Sequence, residues 1–333
     1  MKYLVTGAAG FIGSHLLKSL AEEGHSVLGL DNYNDYYSPQ MKRLRVATIL
    51  RPLGLEVKEI SLENIHDVNS LIRKFEPDKV FHFAAQPGVR LPLNEYSSYV
   101  DRNLVGFSNI IGACVANEIP DFLYASSSSV YGNFTGISSS EKENAIEPIS
   151  FYGATKLAGE VLAKTIVRNS STRARGLRLF TVYGPWGRPD MAYFRIISSY
   201  FTDYCFQMFG DGSIKRDFTN IRDITNLTQL LSIDLSSRNR GFHDVVNIGG
   251  GNSVSLVNMI ETLENILGKD LLFEKYEHNP NDVIYTNADS TYLESLVGEK
   301  PKVNLEEGLT EVIEWASRLG NLHLLKDWSE SVN

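Results

Sequence analysis

The first half of the chain alternates two kinds of segment, and this alternation limits most strongly how the chain can fold. Short segments rich in Val, Ile and Leu are followed by longer ones whose apolar residues recur every three or four positions, as in strands and amphipathic helices. Strands are predicted at residues 2–6, 26–30, 55–60, 79–84, 122–125 and 176–183, and helices at 11–23, 39–50, 64–75, 94–117 and 150–168. Such repeated units cross over right-handedly, so we expect an α/β fold with a doubly wound parallel sheet.

The alternation stops at the turn-rich stretch GPWGRP, residues 184–189. Glycine and proline at this density interrupt both the strand and the helix pattern. We therefore predict a first domain at 1–183 and a smaller carboxyl-terminal α/β domain at 184–333. The second domain is expected to hold helices at 194–203, 256–267 and 305–317 and a short strand at 245–248, which could return to the first domain.

Charge and composition exclude several classes of function. A net charge of −8 gives no electrostatic support for nucleic-acid binding. No long apolar run and no cleavable leader pattern is visible, so we expect a cytoplasmic protein that does not enter membranes. None of the seven histidines has zinc-type spacing, so no metal is expected. Cys114 and Cys205 lie in apolar, helix-like runs and are expected to be buried rather than disulfide-bonded.

The residues TGAAGFIG at positions 6–13 lie between the first predicted strand and the first helix. Glycines at such a turn let the backbone approach a pyrophosphate, and the N–H groups of the next helix can bind it. Asp31 ends the second strand, where a carboxylate can accept from ribose hydroxyls and would repel a 2′-phosphate. We therefore predict a Rossmann-type domain that binds NAD rather than NADP; a capping or turn role for Asp31 is the alternative. The residues expected to contact NAD here are Gly7, Gly10, Phe11, Ile12, Gly13 and Asp31.

Tyr152 and Lys156 are four residues apart on a predicted helix, so both side chains lie on one face. A phenol is a poor base at neutral pH, but a nearby ammonium group and a nicotinamide cation would stabilise its anion. A Tyr and a Lys at this spacing are also common by chance on helix surfaces. Here their position in the chain is what indicates a catalytic role. It follows a fifth strand that ends in ASSSSVYG, residues 125–132. Because ligands bind at the carboxyl ends of parallel strands, we expect a hydroxyl there to contact the substrate and Tyr152; a flexible loop is the alternative.

The glycine turn, the Ser-rich strand end and the Tyr-x-x-x-Lys pair, in this order, resemble the extended short-chain dehydrogenase/reductases that act on nucleotide sugars. The resemblance covers nearly the whole chain, to about Ala316. It implies an NAD-binding first domain and a nucleotide-sugar substrate domain after it. It also adds expected NAD contacts at Asn32, Leu62, Ala84, Ala85, Tyr152 and Lys156.

Three stretches narrow the resemblance to UDP-glucuronate 4-epimerases. They are DNYNDYY at 31–37, AAQPGVR at 84–90 and FTVYGPWGRPDM at 180–191. The resemblance implies that Ser127 is the catalytic hydroxyl beside Tyr152 and Lys156, and that Arg216 in Arg-Asp-Phe binds the diphosphate. The other residues expected to bind substrate are Arg90, Ser128, Ser129, Thr181 and Arg188.

Two related reactions lack their usual groups here. The 4,6-dehydratases carry an Asp-Glu pair at the positions of Ser128 and Ser129, and the UDP-glucuronate decarboxylases carry a Glu at Ser129. Eliminating water needs an acid and a base, and only hydroxyls are present. The chain also departs from the family with Ser61 before Leu62 near the adenine, and with Asn281 where relatives have a turn glycine.

The expected function is therefore C4 epimerisation of UDP-glucuronate to UDP-galacturonate through a 4-keto sugar, with NAD as the cofactor. Epimerisation of another UDP-hexose and a catalytically silent NAD-binding regulatory role are the alternatives. The resemblance further implies a homodimer in which helices within 94–117 and 150–168 pair into a four-helix bundle. Apolar residues at Leu157, Val161, Leu162 and Ile166 agree with this, although core packing explains part of the stripe.

Overall fold

A computed structural model describes residues 1–89, 91–133, 136–143, 146–277 and 283–332. The strands of these ranges are β1 (Lys2–Thr6), β2 (Ser26–Asp31), β3 (Val57–Glu59), β4 (Lys79–His82), β5 (Asp121–Ser127), β6 (Arg173–Leu179), β7 (Thr181–Tyr183), β8 (Phe206–Phe209), β9 (Lys215–Asn220), β10 (His243–Ile248), β11 (Ser253–Ser255) and β12 (Phe273–Tyr276).

The α-helices are α1 (Phe11–Glu22), α2 (Pro39–Arg45), α3 (Ile65–Phe75), α4 (Tyr96–Val100), α5 (Gly106–Ala116), α6 (Phe151–Val167), α7 (Ala192–Phe201), α8 (Ile221–Ser236), α9 (Leu256–Leu267), α10 (Thr291–Val297), α11 (Leu305–Ser317) and α12 (His323–Glu330). A π-helical turn at Val46–Leu50 continues α2, and another at Asp101–Val105 joins α4 to α5.

Seven parallel strands form the main sheet in the order β3-β2-β1-β4-β5-β6-β10. Successive strand residues point to opposite faces, and both faces are covered, so the strands are continuously apolar. In β1, Leu4 packs on the face covered by α3, α5 and α6, whereas Val5 packs on the face covered by α1 and α8. This arrangement confirms the doubly wound parallel sheet.

The later part of the chain builds a second core. Strands β7, β9 and β11 form a small sheet, and β8 pairs with β12. Large aromatic residues fill the core between these strands and helices α7, α9, α11 and α12: Tyr183, Trp186, Tyr193, Phe194 and Trp328. The carboxyl ends of the main sheet face this smaller α/β layer, and the functional cavity lies between them.

Two later segments return to the main sheet. Strand β10 pairs with β6 at the sheet edge. The strand predicted near 245–248 therefore does return to the sheet of the first domain. Helix α8, which the sequence pattern did not reveal, packs beside α1 with Ile224, Leu227 and Leu231 buried. The division at residue 183 stays a prediction, because these elements interleave the two layers.

Two local expectations were wrong. The predicted single strand at 176–183 is two strands, because the chain changes sheets at Phe180: β6 pairs with β5 and β10, and β7 pairs with β9. Cys205 is exposed and lies just before β8 rather than in a helix, because α7 already ends at Phe201. Cys114 is buried in α5 as expected.

Candidate active site

A cavity of about 1100 Å³ runs along the carboxyl ends of the main-sheet strands, beneath the second layer. A typical small-molecule site has about 300–1,000 Å³, so this cavity lies just above the upper end of that range. It brings together nearly all residues that the sequence proposed: Gly7, Gly10, Phe11, Ile12, Gly13, Asp31, Asn32, Leu62, Ala84, Ala85, Ser127, Ser128, Ser129, Tyr152, Lys156, Thr181, Arg188 and Arg216. Arg90 and Asn281 lie outside the described residues.

The glycine turn is shaped by close backbone packing. Gly7 has a φ of +71°, and a Cβ there would lie 2.7 Å from the Ala84 nitrogen. A Cβ on Gly13 would lie 2.2 Å from the Gly7 carbonyl oxygen. Gly10 caps α1 without a side-chain acceptor, so the first N–H groups of the helix are open to a ligand. These features fit a dinucleotide diphosphate.

Asp31 is nearly buried at the end of β2, where both carboxylate oxygens accept backbone hydrogen bonds. The Ala9 N–H donates at 3.1 Å and the Tyr33 N–H at 2.8 Å. Two carboxylate oxygens can accept about four hydrogen bonds, so capacity remains for ribose hydroxyls. Asp31 thus has the turn role that was its alternative as well as a position on the cavity wall.

The segment after β3 forms the outer wall of the dinucleotide end. Leu62 is buried on the cavity wall, and the Asn109 side chain donates to the carbonyls of Leu62 at 2.9 Å and Glu63 at 3.2 Å. The Ser61 hydroxyl donates to the Glu63 carboxylate, so the departure from the family at Ser61 creates a local contact. Sequence reasoning missed Asn109, because its partners are more than 40 residues away.

The Tyr152 and Lys156 side chains lie on the cavity side of α6. Ser150 caps this helix by accepting from the Gly153 N–H, which fixes the helix start next to Tyr152. The Lys156 ammonium donates to the Ala125 carbonyl at 2.8 Å and lies 5.8 Å from the centre of the Tyr152 ring. Burial lowers the pKa of Lys156 to about 8.

Burial raises the pKa of Tyr152, while the Arg188 charge and a hydrogen bond from the Ser127 hydroxyl oppose that rise. The sequence assigned this opposing effect to Lys156; among protein groups it comes instead from Arg188 and Ser127. The Ser127 oxygen accepts from the Ser129 N–H at 3.1 Å, which leaves its own proton free to point towards the phenol. Ser128 and Ser129 line the cavity beside it.

A buried ionic network links β5 and α6, the two elements that carry Ser127 and Tyr152. Glu160, two turns after Tyr152 on α6, accepts from Arg178 at 2.8 and 2.7 Å and from the Ser126 hydroxyl. Arg178 also donates to the Tyr131 hydroxyl at 2.8 Å. These contacts tie the serine-bearing end of β5 to α6. Sequence analysis did not find them, although Glu160 continues the face of Tyr152 and Lys156.

The Arg188 guanidinium is paired with Asp190 and lies close enough to Tyr152 to act on its phenol. Its Nε donates to Asp190 at 3.0 Å, and one Nη donates to the other carboxylate oxygen. The Tyr36 hydroxyl also donates to Asp190, at 3.3 Å. Arg188 is therefore a held cation on the cavity wall rather than a surface arginine, and Asp190 and Tyr36 are site residues that the sequence analysis missed. Thr181, on β7, lines the same end.

The three stretches that carried the closest resemblance meet in space. A Cβ on Gly88, which has a φ of +87°, would lie 2.2 Å from the Tyr36 hydroxyl oxygen. Arg45 is fully buried and donates to the Ala9 carbonyl at 2.7 Å and to the Trp186 carbonyl at 3.1 and 2.8 Å. Arg45 also donates to the Tyr37 hydroxyl at 3.0 Å, so the glycine turn, the loop at 31–37 and the loop at 184–191 are fixed to one another.

Arg216 lies on β9, away from the serine-rich strand end. It lines the cavity together with Phe206 and Gln207, and its guanidinium donates to the Lys215 carbonyl at 3.0 Å. The neighbouring Asp217 is buried and accepts from the Gly250, Gly251 and Ala288 N–H groups, which fixes this end of the strand.

Within the described ranges, no three His, Cys, Asp or Glu side chains are grouped so that they could hold a metal ion. Across those same ranges, no helix combines the length and the apolar character needed to cross a membrane.

Comparison with known proteins is consistent with this geometry. The profile of the NAD dependent epimerase/dehydratase family matches residues 3–249. A probable UDP-glucuronate 4-epimerase of Rhizobium meliloti (strain 1021) is 37% identical over 330 residues, covering 95% of this chain and 96% of the relative. The crystal structure of UDP-glucuronic acid 4-epimerase from Bacillus cereus, in complex with UDP-glucuronic acid and NAD, is 34% identical with a TM-score of 0.87, covering 96% of this chain and all of that one.

A UDP-glucose 4-epimerase also has this fold. The enzyme of Thermotoga maritima, solved with UDP-glucose, is 25% identical with a TM-score of 0.82 and covers 96% of this chain and 99% of that one. The two structures are alike in fold, but the glucuronate enzyme is more similar in sequence.

Proposed function

The chain belongs to the NAD dependent epimerase/dehydratase family, and we propose that it inverts C4 of UDP-glucuronate to give UDP-galacturonate. NAD is its cofactor. The observation that carries the substrate assignment is the Arg188 guanidinium, which is held on the cavity wall close to the Tyr152 phenol. A cation there suits a sugar with a carboxylate on the carbon next to C4.

The residues at the dinucleotide end fit NAD. Gly7, Gly10 and Gly13 keep side chains away from the diphosphate, the α1 amino end supplies N–H donors, and Asp31 supplies a ribose acceptor. When bound, NAD supplies a hydride acceptor for C4 and later returns the hydride, so no external oxidant is consumed.

Tyr152 removes the proton from O4 of the sugar as hydride leaves C4, and the Ser127 hydroxyl bridges the phenol and O4. The positive charge of Arg188 and the hydrogen bond from Ser127 favour the phenolate, and the low dielectric of the buried site strengthens both effects. The product of this half-reaction is a 4-keto sugar. It turns about its diphosphate within the cavity, Tyr152 returns the proton to O4, and hydride adds to the opposite face of C4.

A 4-keto glucuronate is a β-keto acid, so its carboxylate must be kept from standing perpendicular to the carbonyl plane. We assign this task to Thr181, Ser128 and Arg188, which line the sugar end of the cavity. Hydrogen bonds to a charged group contribute about 1.5–3 kcal/mol, which corresponds to roughly one to two powers of ten in the rate of CO2 loss. Asp190 and Tyr36 keep the Arg188 side chain in place for this contact.

A neutral UDP-hexose is the second candidate substrate. The observation that favours it is the ion pair itself, because Asp190 already balances the Arg188 charge without a substrate carboxylate. Against it, Asp190 occupies Nε and one Nη nitrogen only, and the remaining Nη can still donate to a carboxylate. A silent regulatory role is disfavoured by the assembled Tyr152, Lys156 and Ser127 groups.

The experiment is to incubate the protein separately with UDP-glucuronate and UDP-glucose and to follow new C4 epimers by NMR. We expect UDP-galacturonate from the first and little conversion of the second. Conversion of UDP-glucose at a higher kcat/KM than UDP-glucuronate would reverse the assignment. No conversion of either sugar, with NAD bound, would favour the regulatory role.

We also propose that the chain is a homodimer through α4–α5 and α6. Val161 on α6 is 59% exposed, and Val100 and Val105 on the adjoining helical segment are 37% and 43% exposed. Leu162 and Ile166 instead pack against the core, so the exposed stripe is narrower than the sequence pattern. A monomer mass by light scattering at micromolar concentration would contradict the dimer.

A further inference from the structure

The last helix of the described chain packs against the loop that carries Arg188. Trp328 on α12 is 1% exposed, and its ring centre lies 6.1 Å from that of Trp186. The sequence analysis had no function for residues after Gly320. The structure places Ser329, Glu330 and Val332 on the wall of the functional cavity.

The residues after α12 contact both layers that enclose the cavity. The Ser331 hydroxyl accepts from the Ser38 N–H at 3.2 Å, directly after the 31–37 loop of the dinucleotide end. The Val332 carbonyl accepts from the Arg195 guanidinium at 3.0 Å, on α7 of the second layer. This segment therefore joins the two layers and holds one arginine on the cavity wall.

Arg195 has the properties of an anion-binding group. It lines the cavity, and within the described ranges its hydrogen-bond acceptor is the Val332 carbonyl rather than a carboxylate. Its Nε is buried without an acceptor in that same part of the chain.

Burial would raise the pKa of Asp190, but the charges of Arg188 and Arg195 hold it below its usual value. Arg195 also opposes the rise in the pKa of Tyr204 that burial causes. Its charge thus reaches both Asp190, at the sugar end, and Tyr204, near β8.

The acidic side chain that α12 adds to this wall has its own cation. Glu330 lines the cavity, but its carboxylate lies 3.9 Å from the Lys326 ammonium on the same helix. Asp190 and Glu330 each lie beside a cation of their own, Arg188 and Lys326, so the charge of Arg195 is available to a ligand. A guanidinium fork matches the oxygens of a phosphate group, and binding one would compensate this charge.

We propose that the carboxyl-terminal segment 321–332 completes the substrate site by holding Arg195 for the diphosphate of the nucleotide sugar. The inference rests on the proposed function only in requiring a nucleoside-diphosphate substrate, and it holds whichever sugar is attached. Arg188 then binds the sugar end and Arg195 the diphosphate next to it. Val332 acts through its main-chain carbonyl and is a positioning residue.

The test is calorimetric titration of the NAD-loaded protein with UDP and, separately, with uridine. Arg195→Met is expected to weaken UDP binding about ten- to a hundredfold, since a charge-assisted contact is lost, and to leave uridine binding within about twofold. Deletion of residues 331–333 removes the Val332 carbonyl but keeps Arg195, and should cause a smaller loss of the same kind. Combined with Arg195→Met, the deletion should add little, because both changes act on one contact.

Arg318→Met is the matched control, because it removes an exposed arginine that pairs with Glu314 outside the cavity. It should bind UDP as the wild type does. Equal loss of UDP and uridine affinity, unchanged UDP affinity in Arg195→Met, or additive effects of deletion and substitution would overturn the proposal. The deletion carries the test alone if Arg195→Met fails to fold. These titrations need no turnover, so a failure to epimerise UDP-glucuronate would refute the proposed function and leave this result standing.

Discussion

The two ends of the cavity are formed by different parts of the residues, main-chain atoms at one end and side chains at the other. At the dinucleotide end the shape comes from closely packed main-chain atoms, as at Gly13, where a Cβ would lie 2.2 Å from the Gly7 carbonyl oxygen. At the sugar end the shape comes from charged and hydroxyl side chains, each held by a hydrogen-bond partner. Arg188 is held by Asp190, Asp190 also accepts from Tyr36, and Ser127 accepts from the Ser129 N–H.

This difference determines which end of the cavity can accommodate a substitution. A methyl group added at Gly7 or Gly13 would lie only 2–3 Å from main-chain atoms and cannot be accommodated, whereas a held side chain can be replaced at the cost of one interaction. We infer that the dinucleotide end is a fixed part of the family's chemistry. Our proposal assigns the selection of substrate and side reactions to the sugar end.

The largest effect is expected from adding one methyl group at the dinucleotide end. Gly13→Ala would place a Cβ 2.2 Å from the Gly7 carbonyl oxygen, so the turn and the start of α1 must separate. We expect loss of bound NAD and of all epimerase activity, measured by absorbance of the released dinucleotide and by NMR of the products.

The control for this substitution is Gly112→Ala. Gly112 lies in α5, where an added Cβ meets nothing within 4 Å. Alanine favours a helix by up to about 1 kcal/mol relative to glycine, so this variant should keep its NAD and unfold at the same or a slightly higher temperature. If Gly13→Ala retained NAD as well as Gly112→Ala does, the rigid description of this end would be wrong.

The next largest effect is expected from Tyr152→Phe, which removes only the phenolic oxygen between the two ends. Loss of a general base typically lowers the rate about 10²–10⁴-fold. NAD should stay bound, because the glycine turn and Asp31 are untouched. Activity within about threefold of the wild type, measured by NMR with UDP-glucuronate, would place the base elsewhere.

The dinucleotide end could be predicted from the sequence because its determinants are local. Three glycines, an apolar strand and an amphipathic helix occur within 25 residues, and Asp31 follows at the end of the next strand. The same applies to Tyr152 and Lys156, whose spacing puts them on one helical face. The parallel sheet followed from the repeated alternation.

The partners that hold the sugar end could not be predicted in the same way. Tyr36 donates to Asp190 across 154 residues, and Arg45 reaches Trp186 across 141. No periodicity encodes such pairs. The change of sheet at Phe180 and the contact between Arg195 and Val332 were missed for the same reason, because both depend on segments distant in sequence.

The smallest expected effect is on the fate of the keto sugar, that is, on the ratio of CO2 to epimer. Arg188→Ala and Thr181→Val should free the carboxylate of the 4-keto intermediate, and about one to two powers of ten in the ratio of CO2 to epimer should follow. Arg222→Ala is the matched control, since Arg222 is exposed on α8 and pairs with Glu307 and Glu311 away from the cavity. It should keep the wild-type ratio.

The partition between CO2 and epimer tests most directly the claim that the sugar end selects the reaction through the carboxylate. Wild type, Arg188→Ala and Thr181→Val would each receive UDP-glucuronate while CO2, UDP-galacturonate and the near-ultraviolet absorbance of NADH are followed. The account predicts slower epimerisation, more CO2, a UDP-4-keto-pentose and NADH left on the enzyme in both variants. An unchanged ratio of CO2 to epimer in both would contradict it.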